Sequence, residues 1–193
     1  KVVEIKEYLK HLPIEVVACS AYRNLPDVAE DGETFLDNAI SKAQAISKVT
    51  GEVALADDSG LEVDALLGKP GVKSARFAGD GLPPGKKLDK ANYGKLLSLL
   101  KGVEDSKRTA RFRCVIALAD PLGRTKWVEG VCEGKIGFTP DGSGGFGYDP
   151  VFIPFGYTRS FAALPKDVKN TVSHRALALK AVIPLIKDFF RLP

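Results

Sequence analysis

The sequence predicts an α/β protein: a mixed central sheet with flanking helices, divided into two lobes around a cleft. Three observations carry that prediction. Apolar residues recur at helical spacing around residues 33–49, 87–100 and 173–190. Two long β-rich runs, 109–119 and 126–136, flank a turn at Pro121-Leu122-Gly123. Helical and extended segments are interspersed along the chain, the order expected when helices cover a sheet. At 193 residues the chain fits one large domain or two small lobes and can bury a substantial core.

Taken in order, Lys1 to Leu12 places Val2, Ile5, Leu9 and Leu12 near helical spacing and reads as the first helix. Ile14 to Ala18 is a strand candidate, followed by a polar connection through residue 32. The helix from about Glu33 to Val49 carries the stripe Phe35, Leu36, Ala39, Ile40, Ala43 and Ile46, and Gly51 closes it. Asn38 and Lys42, four apart, share one side of this helix. Val53 to Ala56 reads as a buried strand from which Asp57-Asp58-Ser59-Gly60 emerges as a turn, with Leu61 to Leu66 extended beyond it. Pro70 to Gly85 is loop-rich, and Lys87 to Leu100 is helical. Thr109 to Ala119 and Lys126 to Ile136 form a hairpin, residues 139–150 a glycine-rich loop. The last helix runs from Ser173 to Phe190, kinked at Pro184.

Composition narrows the function classes. A net charge of +4, with acids and bases interspersed, suits an anionic small molecule and falls short of a dedicated nucleic-acid surface. Cys19, Cys114 and Cys132 form no CxxC spacing, which argues against a disulfide framework or a structural zinc. Reduced thiols fit a cytoplasmic setting. The sequence contains no secretory signal and no apolar stretch long enough for a membrane span.

Asp57-Asp58 at a strand end can hold a hard cation such as Mg²⁺ and position a water, although Asp, Ser and Gly are also ordinary turn residues. Gly142-Ser143-Gly144-Gly145-Phe146-Gly147 has the letters of a dinucleotide fingerprint, but Pro150 and Pro154 follow where a helix must open. Its glycines instead suit a loop that lets backbone approach a ligand, with Phe146 available to stack on a base. Gly79 to Lys87 fails the phosphate-loop pattern, because Asp80 takes the first glycine and Lys87 replaces Ser or Thr. Ser173 is an N-cap candidate at the start of the last helix, with His174 and Arg175 as donors behind it. Glu30 and Asp31 precede a helix, where they either favour its dipole or complete a cation site with Asp57 and Asp58.

Together these motifs resemble the inosine triphosphate pyrophosphatase family. The matching blocks are Glu30 to Ala39, Ala56 to Gly60, Pro70 to Phe77, Gly144 to Pro150 and Lys169 to Arg175, in family order and spanning most of the chain. The resemblance implies an elongated mixed sheet and a nucleotide-binding cleft within a single domain over 1–193. It also implies that Lys1 closes an N-terminal phosphate-binding motif whose strand is missing from this chain.

The same resemblance implies hydrolysis of non-standard purine nucleoside triphosphates (ITP, dITP, XTP) to a monophosphate and pyrophosphate. Asp58 would be general base and Mg²⁺ ligand, Glu30 the second metal carboxylate and Asp57 a support. Lys1, Lys42 and Lys169 would meet phosphate oxygens, with hydrogen bonds from Asn38 and Ser59. Phe146 would stack on the base, with Gly147, Tyr148 and Asp149 beside it, while His174 and Arg175 would donate to the C6 oxygen that adenine lacks. A homodimer is implied as well. Three other readings compete: a related pyrophosphatase for other modified nucleotides; a nonenzymatic nucleotide- or RNA-binding module, which three acids near one site would oppose; and a purely structural domain, which leaves the glycine-rich loop and the Ser-His-Arg helix start without purpose.

Overall fold

The structure, a computed structural model, describes residues 2–79 and 81–192. Five helices, α1 (Val2–Leu9), α2 (Phe35–Thr50), α3 (Lys86–Leu99), α4 (Lys166–Val172) and α5 (His174–Phe190), accompany four strands. The strands are β1 (Ala54–Val63), β2 (Thr109–Ala119), β3 (Thr125–Ile136) and β4 (Phe152–Pro154), forming one sheet in sequential order. The α/β class stands, and within it the four strands are antiparallel neighbours. Arg111 reaches Asp64 and Glu62, and Arg113 reaches Glu62, so β2 advances as β1 recedes. The β2–β3 turn is closed by Gly123 N–H to Asp120 O, and β3 pairs antiparallel with β4 from Gly134↔Pro154 to Ile136↔Phe152. Among the described residues no helix is long and apolar enough to cross a membrane.

Several elements form for local reasons. Thr34 Oγ1 accepts the Asp37 N–H at 3.1 Å while Asp37 Oδ2 accepts the Thr34 N–H at 3.0 Å, a reciprocal cap that opens α2. Gly51, at φ 73°, ends it with its N–H on Ser47 O. Caps of this kind contribute about 1 kcal/mol. The first helix ends at Leu9 rather than Leu12, where the chain turns before Pro13.

Two expectations are corrected. Residues 14–18 form no strand: Ile14, Val16 and Ala18 are half-buried and Glu15 and Val17 exposed, as in an extended segment, but no ladder among the described residues includes them. A strand needs a neighbour for its backbone groups, and apolar alternation alone does not supply one. The acidic pair does not leave a strand for a turn, because β1 continues unbroken through Asp57, Asp58, Ser59 and Gly60 to Val63. Burial of Leu61 and Val63, both at 0% exposure, carries the strand past its turn-prone letters. The last helix runs as expected, α5 following its Ser173 cap to Phe190, and the separate helix α4 precedes it.

The chain forms two compact units. The first comprises residues 1–58, 114–130 and 177–193. Its core joins Leu9 of α1, Cys114, Ile116 and Leu118 of β2, and Ala178, Leu179, Val182, Ile186 and Phe189 of α5. Ile14 and Val16 pack on the same cluster, which is how the unpaired extended segment is held.

The second unit comprises residues 59–113 and 131–176. Its core gathers Leu61, Val63, Leu96, Leu100, Phe112, Cys132 and Ile136 with Phe152 and Phe161. Phe112 and Phe152 meet at 4.6 Å between ring centroids with planes 59° apart, the tilted geometry aromatic pairs prefer. Buried Arg108 donates at 2.8 Å to the carbonyls of Leu100, Ile136 and Gly137, satisfying three backbone acceptors with one side chain.

Candidate active site

In the first unit, the carboxylates predicted from the sequence converge on a lysine. Lys42, two turns into α2, places Nζ 2.7 Å from Glu30 Oε1 and 3.1 Å from Asp58 Oδ1. Asn38, one turn earlier on the same helix face, donates from Nδ2 to Asp58 Oδ2 at 3.1 Å. The four-residue spacing is what lets both side chains reach one strand residue. Asp57, at the adjacent strand position, is half-buried.

Burial is the largest influence on Asp58 and pushes its carboxyl above the ordinary range. The Lys42 charge and the hydrogen bonds from Asn38 and Lys42 oppose that rise, while the Glu30 charge adds to it. Lys42 also moves upward: burial disfavours its charge, but Glu30 and Asp58 together outweigh that. The ammonium therefore stays charged between two acids.

This donor set fits a divalent cation of the Mg²⁺ type. Such an ion is held by one or two carboxylates together with water and substrate phosphate rather than by an all-protein cage. Glu30 and Asp58 already converge on one positive charge, and among the described residues no three His, Cys, Asp or Glu side chains cluster tightly enough to enclose a metal.

The second unit holds the aromatic part of the prediction. Phe146 is 55% exposed within the glycine-rich loop, with Lys169 Nζ 4.7 Å and Arg175 Cζ 5.6 Å from its ring centroid. Asp149 anchors this arrangement. Its Oδ2 accepts the Phe146 N–H at 2.8 Å and also the Lys169 ammonium. Gly145, at φ 70°, is where that approach requires glycine, since a Cβ there would lie 2.0 Å from Asp149 Oδ2. Burial pushes Asp149 upward and Lys169 opposes it.

Ser173 caps α5, its Oγ accepting the Ala176 N–H at 3.3 Å. His174 and Arg175 follow in the first turn, both buried, with Arg175 Nη2 3.3 Å from Ser59 Oγ. His174 lies flat on Phe112, 4.7 Å between centroids and 15° between planes. The sequence reading missed Phe112 in this role, since strand alternation marks it only as a core residue. Gly147 sits in the loop at φ 60°. Tyr148 is buried and its hydroxyl donates to Ser74 O at 2.9 Å, so its ring and its donor are both engaged within the protein. Lys1 lies outside the described residues.

Comparison with known proteins agrees with the resemblance. The model of the Ham1 family matches residues 1–185. The chain is 53% identical over 190 residues to a dITP/XTP pyrophosphatase of Desulforamulus reducens, covering 98% of this chain and 92% of that protein. It is 46% identical to the dITP/XTP pyrophosphatase of Bacillus subtilis, covering 97% and 92% respectively. A solved HAM1 protein from Coxiella burnetii superposes with a TM-score of 0.88 at 39% identity, covering 97% of this chain and 93% of that one. The chain belongs to the Ham1 family.

Proposed function

We propose that the chain hydrolyses non-standard purine nucleoside triphosphates, dITP, ITP and XTP, to the nucleoside monophosphate and pyrophosphate. The observation that carries the proposal is the convergence of Glu30 and Asp58 on Lys42, in a chain 53% identical to a dITP/XTP pyrophosphatase. Paired acids with an adjacent lysine suit a polyphosphate brought in with a divalent cation, and they disfavour a bare RNA backbone.

Asp58 accepts a proton from the attacking water, whose oxygen becomes bonded to the α-phosphorus. The bridging oxygen leaves with pyrophosphate. Lys42 offsets negative charge as it moves onto the leaving group, and Lys169 supports the substrate beside Phe146. Mg²⁺, when bound by Glu30 and Asp58, supplies charge neutralisation on the phosphates. Phe146 stacks on the purine, a contact of about 1–3 kcal/mol per base. Donors from His174 and Arg175 pair with the C6 oxygen and leave the adenine amino group facing another donor, a mismatch able to reject by roughly 10⁴-fold. The reading includes a homodimer acting in the cytoplasm, which sedimentation and fractionation test.

The decisive assay is pyrophosphate release from dITP and XTP with Mg²⁺, against dATP as control. Turnover of dITP and XTP at least 100-fold more efficient than of dATP is expected. Equal turnover of all three, or none, would overturn the proposal.

A further inference from the structure

We infer that Asn38 is the positioning residue of the acidic site, holding Asp58 directly and the segment that carries Glu30 through Gly32. The inference rests on the pyrophosphatase reading above. Asn38 is 2% exposed and both ends of its amide are engaged. Nδ2 donates to Asp58 Oδ2 at 3.1 Å, and Oδ1 accepts the Gly32 N–H at 2.8 Å. A backbone N–H can only donate and a carboxylate only accept, so the network fixes which way the amide faces. Turning it over would set oxygen against the carboxylate and N–H against N–H.

The consequence for Asp58 is geometric. Lys42 takes Oδ1 and Asn38 takes Oδ2, so each oxygen has its own donor and the carboxylate plane is set. Lysine grips through a long flexible stem, whereas asparagine acts through two torsions from a helix, so the shorter residue defines the position. Gly32 lies two residues beyond Glu30. A Cβ added to Gly32 would come within 2.7 Å of Asn38 Oδ1 and 2.8 Å of Asp37 Cβ, so the close approach of this loop to α2 depends on glycine. Asn38 thus ties together the two backbone segments whose acids converge on Lys42. The Nδ2 hydrogen given to Asp58 is not available to a phosphate, so that contact serves position. Its effect on rate is therefore orientation, where misplacement of about 1 Å costs about 10²-fold.

The test uses the full chain with Asn38→Ala, Asn38→Asp, Gly32→Ala, Glu30→Gln and the double variant Asn38→Ala/Glu30→Gln. Asn38→Asp keeps the volume and the acceptor for Gly32 but loses the donor to Asp58. Both Asn38 variants should lower kcat for dITP by about 30–100-fold with KM changed less than threefold. Gly32→Ala, which reaches the same amide from the other side, should do likewise. The double variant should lose far less than the product of the single losses, because both act on one unit. Independently of turnover, the rise in Tm on adding Mg²⁺ to the nucleotide-free protein should shrink at least by half in Asn38→Ala.

A KM raised tenfold with kcat intact would make Asn38 a substrate contact and overturn the inference. Multiplicative losses, full activity, or loss of cooperative folding in both Asn38 variants would overturn it as well. A parent that releases no pyrophosphate defeats the functional reading instead. The Mg²⁺ shift then still decides, and a shift undiminished in Asn38→Ala, or absent from the parent, removes the positioning role.

Discussion

Replacing Lys42 by Met tests whether the acidic site is held together by one ammonium. The parent lysine is 18% exposed at its side chain, and Asp58 opposite it is 11% exposed, whereas Glu30 is 45% exposed. Removing one partner of a fully buried pair costs about 3–5 kcal/mol, and an exposed pair contributes about 0–1. The Lys42–Asp58 contact lies nearer the first limit and the Lys42–Glu30 contact nearer the second. A loss of about 2–3 kcal/mol at neutral pH follows.

Burial already raises Asp58 in the folded protein, and Lys42 is the strongest influence opposing that rise. Without Lys42 the folded value climbs further above the unfolded one. A group raised on folding favours the folded state most below its unfolded pKa, and that contribution is lost as pH rises through the folded value. The variant should therefore lose more stability at pH 8 than at pH 5, since the lower pH lies on the side where a raised carboxyl takes up its proton. Lys42 in the parent stays charged across this window, so it adds no slope of its own. Urea unfolding midpoints of parent and variant at the two pH values measure the difference. Equal losses at both, or a loss below about 0.5 kcal/mol, would refute the reasoning.

Four further outcomes are expected. Asp58→Asn should reduce kcat for dITP by about 10²–10⁴-fold, the range of a general base, in a protein that still unfolds cooperatively, its thermal midpoint lowered because the new amino group faces the donor of Asn38 or Lys42. Phe146→Ala should raise KM for dITP by about 5–100-fold through loss of stacking, with an unchanged circular dichroism spectrum; unaltered KM would exclude the ring from base binding. His174→Phe keeps a flat ring against Phe112 but removes its donors, so the ratio of dITP to dATP turnover should fall at least tenfold, and a constant ratio would exclude His174 from base selection. Arg108→Met strands three buried carbonyls and should cost about 3–5 kcal/mol in chemical denaturation while leaving KM unchanged in the folded protein.

The residue types that the proposed function uses were legible: carboxylates on a strand, an aromatic among glycines, and donors at a helix start. Their assembly was less so. Nothing in the spacing of Asn38 from Asp58, twenty residues on, says that one amide would bridge that carboxylate to Gly32. Phe112 under His174 was equally hidden, because a buried aromatic on a strand carries no local mark of what it touches.

What the sequence determined by itself is what neighbours along the chain decide. Thr34 with Asp37 opens α2, Gly51 closes it, the Pro121-Leu122-Gly123 turn joins β2 to β3, and Pro150 forbids a helix after the glycine-rich loop. Tertiary structure decided the rest. Only burial of Leu61 and Val63 could carry β1 through Asp-Asp-Ser-Gly, and only a missing ladder partner could leave 14–18 unpaired despite its apolar pattern. The physical reason is range. Caps and turns are satisfied within about four residues, whereas strand pairing and a cluster such as Glu30, Lys42 and Asp58 depend on distant segments closing upon one another, with a free energy that no local window contains.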